Sequence, residues 1–222
     1  MTRPLHPTAL ITGGNRGIGY AIAQGLIAKG CAVTIGARNP DEGRKAAQTL
    51  GCAFAHIDLS EPDSYCDALA VQSYDILVNN AGILGHTSLL TKDSDFAQAM
   101  EVTVAAPLDL IRLNLPHWQR THWGRIVNLS SGWGAHAQGL GGPGAYGVAK
   151  AALNALTHAL PRDLPPGVKI NACDPGWVAT GMGGAGAPLT PAEGADTPLW
   201  LALLPDDGPT GGFFRKRLPA EW

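Results

Sequence analysis

Residues 12–19 read Thr12-Gly13-Gly14-Asn15-Arg16-Gly17-Ile18-Gly19. Just before them, Thr8–Thr12 carries the apolar run Ala9-Leu10-Ile11, a strand candidate. Just after them, Gly17 to Lys29 places Ile18, Ile22, Leu26 and Ile27 near one helix face, and Gly30 stops the pattern. Strand, glycine turn and helix in succession let backbone N–H groups approach a pyrophosphate at the helix N-terminus. A plain strand–helix turn is the other reading of these glycines.

The alternation continues down the chain. Ala32–Ala37, Ala53–Ile57, Ile76–Asn79, Arg125–Leu129 and Val168–Cys173 are further strand candidates, with Gly211–Phe214 a weaker seventh. Asp95–Trp118 and Tyr146–Leu160 are long helical segments. Strands alternating with helices predict an α/β fold. Right-handed crossovers make it one doubly wound, Rossmann-type domain over residues 1–222, with about seven parallel strands and helices on both faces. The segments 132–145 and 181–194 are dense in glycine and proline. Both follow strand candidates, where the ligand-binding loops of such a sheet sit.

Composition narrows the function classes. The 222 residues are 45% apolar and 15% charged, with a net charge of −2. That balance fits a packed domain and carries no electrostatic footprint for nucleic acid or an anionic membrane. Met1 to Pro7 is polar and proline-broken, the first apolar run, Ala9-Leu10-Ile11, is too short for a signal-peptide core, and no run nears the roughly 18 apolar residues of a membrane span. Cys31, Cys52, Cys66 and Cys173 form no CxxC pair and no metal-ligand spacing. The expectation is a reducing, cytoplasmic setting with no metal.

The spacing TGxxxGxG resembles that of the short-chain dehydrogenase/reductase family. Three more motifs follow in the family's order. Asn79-Asn80-Ala81-Gly82 ends the fourth strand, and Ser130-Ser131 ends the fifth ahead of Tyr146-Gly147-Val148-Ala149-Lys150, a YxxxK. Asp174-Pro175-Gly176-Trp177-Val178-Ala179-Thr180 follows the sixth, matching PGxVxT. The resemblance runs from Thr8 to Phe214, and the ending Gly211–Trp222 resembles that of NADPH-dependent carbonyl reductases within the family.

The resemblance implies a nicotinamide cofactor on Gly13, Asn15, Arg16, Gly17, Ile18 and Gly19, with Leu59, Asn80, Ala81, Gly82, Pro175, Gly176, Val178 and Thr180 completing the site. Ala37 stands where NAD-preferring relatives carry Asp, and Arg38 follows it. With Arg16, Arg38 can clamp a 2′-phosphate, so NADP(H) is the expected cofactor; two solvated surface arginines are the alternative. Asp58 resembles the family residue that accepts from the adenine amino group, or else it is a helix-start acid near Ser60.

Tyr146 and Lys150 are four apart and share a helix face. The resemblance makes Tyr146 the proton donor, Lys150 its modulator and a ligand of the nicotinamide ribose, and Ser131 the group that holds the substrate oxygen, with Ser130 as fallback. Thr103 stands where the family generally has an asparagine that supports a water leading to the lysine. Threonine is shorter and lacks the amide, so either its hydroxyl holds the same water or the relay is altered. Trp133, Leu84, Trp177 and Met182 sit beside these motifs and suggest an apolar, aromatic-walled substrate pocket. A helical lid is expected to open near Thr180. His86 and His136 lack partner spacing for a metal and are read as surface or pocket histidines.

The expected activity is hydride transfer between NADP(H) and a ketone or aldehyde. The alternatives are an NADP-linked alcohol dehydrogenase working oxidatively, and a non-catalytic nucleotide sensor of the same fold. Such sensors often lose the tyrosine or the lysine, and both are present here. The expected partners are a small carbonyl or alcohol and further copies of the chain, as dimer or tetramer. The family commonly pairs through its two long helices, and the stretch between Ser131 and Tyr146 has no room for the insertion that covers this surface in monomeric carbonyl reductases.

Overall fold

Alternate residues of the central strands face opposite layers. In β1 (Thr8–Thr12), Ala9 and Ile11 pack with Ile22, Ala23 and Leu26 of α1 (Gly17–Ala28). Leu10, between them, joins Leu77, Ile126 and Ile170 in a second core on the other face. Both faces are therefore covered, which is why these strands read as continuous apolar runs. The coordinates are a computed structural model that describes residues 4–85 and 87–222; His86 lies outside the described residues.

After α1 the chain runs through β2 (Ala32–Ala37), α2 (Pro40–Leu50), β3 (Ala53–His56), α3 (Pro62–Val71) and β4 (Ile76–Asn79). It continues as α4 (Phe96–Met100), α5 (Ala106–Thr121), β5 (Gly124–Leu129), α6 (Tyr146–Ala159), β6 (Val168–Cys173), α7 (Pro191–Ala202), β7 (Phe213–Arg215) and β8 (Leu218–Pro219). Among the described residues the sheet order is β3-β2-β1-β4-β5-β6-β7-β8. Every pairing is parallel except β7 with β8. The order reverses between β1 and β4, the switch point where ligands bind in such sheets.

The doubly wound fold is as expected, with corrections in detail. The sheet has an eighth strand: Lys216 and Arg217, at φ 51° and 61°, turn the chain so that Leu218 pairs back on Arg215. Segment 95–118 is not one continuous helix. A π turn, Glu101–Ala105, separates α4 from α5. Pro107 explains the break, because it has no N–H to give the Thr103 carbonyl four residues back. The helical lid expected near Thr180 is absent. Residues 181–183 and 185–186 form turns there, and the helix α7 starts only at Pro191. The loop closes on itself instead, Ala179 N–H donating to the Leu189 carbonyl at 2.8 Å.

Candidate active site

The carboxyl ends of β1, β2, β4, β5 and β6 open into a cleft of about 490 Å³. Its floor is the glycine turn. Gly13 and Gly17 have φ of +64° and +57°, a region that side chains avoid. A Cβ on Gly19 would overlap Asn80 Nδ2 and the Gly13 carbonyl. Asn80 spends its amide on this turn, donating to the carbonyls of Thr12 (2.8 Å) and Gly13 (3.1 Å). The Thr12 hydroxyl in return accepts from the N–H groups of Asn80 and Ala81, both at 3.1 Å. The two motifs thus build one rigid cradle that leaves the N-terminus of α1 facing the cleft.

Gly13, Asn15, Arg16, Gly17, Ile18, Gly19, Arg38, Asp58, Leu59, Asn80, Ala81, Gly82, Tyr146, Lys150, Pro175, Thr180 and Met182 all line it. Arg16 and Arg38 are exposed at its rim, and neither forms a salt bridge among the described residues. Asn15 donates to Glu42 at 3.0 Å. Asp58 accepts from both the N–H (3.0 Å) and hydroxyl (2.7 Å) of Ser60. Partial burial opposes ionisation of Asp58, but the Ser60 bonds and the nearby Arg38 charge leave its pKa below the usual carboxylate value.

Several expected residues stand outside the cleft lining, Ser131 and Trp133 among them. Thr103 is 3% exposed, within the π turn beside Val102, which does line the cleft. Val178 is buried under Gly194 and bridges to Leu189, a structural position. Gly176, at φ +81°, turns the chain after Pro175. Trp177 is 60% exposed and donates its indole N–H to the Gly183 carbonyl at 2.8 Å, holding the 181–186 turns folded. Leu84 is half-buried and His136 exposed.

The reactive end lies on α6 and the end of β5. Lys150 is 5% exposed and donates to the Leu129 carbonyl at 2.6 Å. Burial disfavours its ammonium and brings its pKa down to about 8. Its Nζ stands 5.7 Å from the centre of the Tyr146 ring. Burial pushes the Tyr146 phenol above its ordinary value, the Asp174 carboxylate adds to this, and the Ser131 hydroxyl beside the phenol acts the other way. Ser131 caps the short 3₁₀ turn Gly132–Gly134, accepting from Trp133 N–H at 3.2 Å. Trp133 in turn meets the Tyr146 ring edge-on at 6.0 Å and is 50% exposed. Ser130 is buried, lines the cleft and has its hydroxyl 3.4 Å from the Lys150 carbonyl, whereas Ser131, outside the lining, is the one of the pair beside the phenol.

The sequence reading missed Gln98, Val102, Ser60 and Pro191 on the cleft wall. Gln98 and Val102 sit on either side of the α4–π junction. Pro191 opens α7, whose start was legible as a capping box: the Thr190 hydroxyl accepts from Glu193 N–H at 3.2 Å, and the Glu193 carboxylate accepts from Thr190 N–H at 2.8 Å.

Comparison with known proteins agrees with this architecture. The short chain dehydrogenase family pattern matches residues 7–187. Mouse "Carbonyl reductase [NADPH] 1" is 32% identical over 277 aligned positions, covering 97% of this chain and 98% of the mouse protein. The human protein of that name is 31% identical, with both chains fully covered. These alignments span more positions than this chain has residues, so the relatives carry insertions that it lacks. Among solved structures, a putative betaketoacyl-ACP reductase superposes with a TM-score of 0.84 at 31% identity, covering 95% of this chain and 96% of the other. The carbonyl reductase Sniffer of D. melanogaster does so with a TM-score of 0.83 at 27% identity, covering 98% and 100%. With its glycine turn, Asn-Asn-Ala-Gly segment and buried YxxxK lysine set around one cleft, the chain belongs to the short chain dehydrogenase family.

Proposed function

We propose that this protein is an NADPH-dependent reductase of ketones and aldehydes. The observation that carries the reading is the meeting of Tyr146 and Lys150, with the Ser131 hydroxyl beside the phenol, at one end of a cleft whose other end holds Arg16 and Arg38. β2, which leads to Arg38, and β5, which leads to Ser131, lie on opposite sides of β1 and β4. The cleft between them suits an elongated dinucleotide.

The residues present fit that cofactor. The side-chain-free surface of Gly13, Gly17 and Gly19 leaves backbone N–H groups open to a pyrophosphate. Arg16 and Arg38 would take a 2′-phosphate, and nothing acidic stands at Ala37 to repel it. Pro175 and Thr180 would border the nicotinamide. A Cβ on Gly82 would sit 3.5 Å from Lys150 Nζ, so the lysine faces this side of the cleft. When bound, the cofactor supplies the hydride.

The chain's own residues manage the proton. Tyr146, kept as a phenol by burial, gives its proton to the carbonyl oxygen as charge develops there. Lys150 still carries most of its positive charge at neutral pH and stabilises the phenolate left behind. Ser131 donates a hydrogen bond to the same oxygen and fixes its position. Met182 of the cleft wall and Trp133, edge-on to the Tyr146 ring, would offer an apolar side to the substrate's carbon framework, and Trp177 and Leu84, outside the lining, would join them once substrate is bound. We also propose that copies associate through α5 and α6. Ile111 and Leu153 face the core at 3% and 2% exposure, whereas Leu113 and Val148 are 40% and 41% exposed.

Consumption of NADPH, followed by absorbance across a panel of ketones, aldehydes and quinones, tests the activity. Turnover of at least one carbonyl is expected. A panel left unreduced by protein that binds NADPH favours the sensor reading instead.

A further inference from the structure

The loop between β5 and α6 has an inner half that α6 holds and an outer half that it does not. In the inner half, Asn154 donates to the Gly134 carbonyl at 3.0 Å. Gly134 lies so close to α6 that a Cβ there would come 2.6 Å from Lys150 Cβ. Residues 136–140 are all exposed. Among the described residues, a single hydrogen bond ties 136–140 to a distant part of the chain: Ala137 N–H donates to the Trp222 carbonyl at 2.9 Å.

Trp222 is itself firmly seated. Its ring stacks on Phe213, with centroids 5.4 Å apart and planes 20° from parallel, and meets His158 edge-on at 5.7 Å. Phe213 is 2% exposed and pairs with Ala172 of β6. With Ala135 these two form a small buried cluster on which Ala220 and Trp222 pack. Ala220 N–H adds a bond to the Phe213 carbonyl at 2.8 Å. A rigid aromatic side chain anchored on the sheet thus presents its backbone carbonyl to a glycine-flanked loop that lacks any other distant hydrogen-bonded tie.

We propose that Trp222 is a positioning residue for the catalytic loop, clamping residues 136–140 to β7 and so holding Trp133 against Tyr146. The coupling runs through the loop itself. Leu140 N–H returns to the Ala135 carbonyl (3.3 Å) and Gly141 N–H to the Trp133 carbonyl (3.0 Å), so displacement of 136–140 pulls on the backbone of Trp133. Trp222 does not line the cofactor cleft. Its loss therefore reaches the carbonyl substrate and leaves cofactor affinity alone.

The test uses the full chain with NADPH bound, as Trp222→Ala and Trp222→Phe. Hydrogen exchange at the Ala137 amide is to quicken about tenfold in Trp222→Ala, with the amides of β1 to β6 unchanged. KM for a reduced carbonyl is to rise about tenfold while the dissociation constant of NADPH stays within about twofold, and Trp222→Phe is to recover most of the loss. The kinetic arm rests on the reductase reading; the exchange arm does not, so it decides the clamp alone if no carbonyl is turned over. Should Trp222→Ala lack a cooperative melt, Trp222→Leu carries the same measurements. Unchanged protection at Ala137 overturns the proposal, and so does lost protection with KM unmoved.

Discussion

Lys150 shows how burial sets chemistry at a single residue. An ammonium 5% exposed is costly, and its pKa falls to about 8. The sign of the consequence follows. Between about 8 and the ordinary lysine value near 10.4, the unfolded chain holds a proton that the folded one lacks, so this group's penalty on stability fades as pH rises through that window. On the proposed mechanism, activity runs the other way. Tyr146, displaced upward, stays a phenol across the range, but the charge that stabilises its anion is lost as pH passes about 8. kcat/KM for reduction is expected to be level from about pH 6 to 7 and to fall above 8, while alcohol oxidation climbs with pH because it needs the phenolate. Initial rates in both directions across this range check it; parallel profiles contradict it. At the other end of the cleft, Arg38→Asp removes a charge-assisted phosphate contact, which costs about 1.5–3 kcal/mol. Preference is expected to turn from NADP(H) to NAD(H) by calorimetry, and equal affinity of the unaltered chain for both cofactors refutes the role.

At the scale of elements, the site depends on backbone approaching backbone. A methyl at Gly134 would sit 2.7 Å from the Lys150 carbonyl carbon and 2.9 Å from Ala151 N. Gly134→Ala must push the Ser131 turn off α6, an overpacking that costs about 1–3 kcal/mol. It is expected to lower the denaturation midpoint and kcat/KM together; a variant with both intact would show that the turn has slack. The elements most legible in the sequence were those with strong apolar runs, β1, β2, β4 and β6, whose bounds match the structure. β8 was not legible, because two exposed residues pairing behind a Lys216-Arg217 turn leave no periodic signal. The break at 101–105 was marked by Pro107, which an apolar count over Asp95–Trp118 passes over. α2 was announced by Asn39-Pro40-Asp41-Glu42: Asn39 accepts from Asp41 and Glu42 N–H at 3.0 and 3.1 Å.

The whole molecule gathers its site from segments far apart in sequence, at Gly13, Arg38, Asn80, Ser131, Tyr146 and Pro175, through the parallel order of its strands. The motif residues of the cofactor cleft were legible because each turn follows a strand end. The substrate side was less so: where Trp133 and Trp177 point depends on loop closures such as the Trp177–Gly183 bond, which composition does not encode. The exposed Leu113 and Val148 belong to this scale too. Light scattering behind a sizing column is expected to give a mass of two chains or more at micromolar concentration, and one chain's mass contradicts pairing through α5 and α6. The central claim, that the cleft reduces a carbonyl with Tyr146 as acid, is tested most directly by single-turnover oxidation of bound NADPH in the unaltered protein and in Tyr146→Phe. NADPH binding is expected to be retained and the rate to fall by at least about a hundredfold; a Tyr146→Phe protein that keeps a substantial fraction of the rate would show that the proton comes from elsewhere.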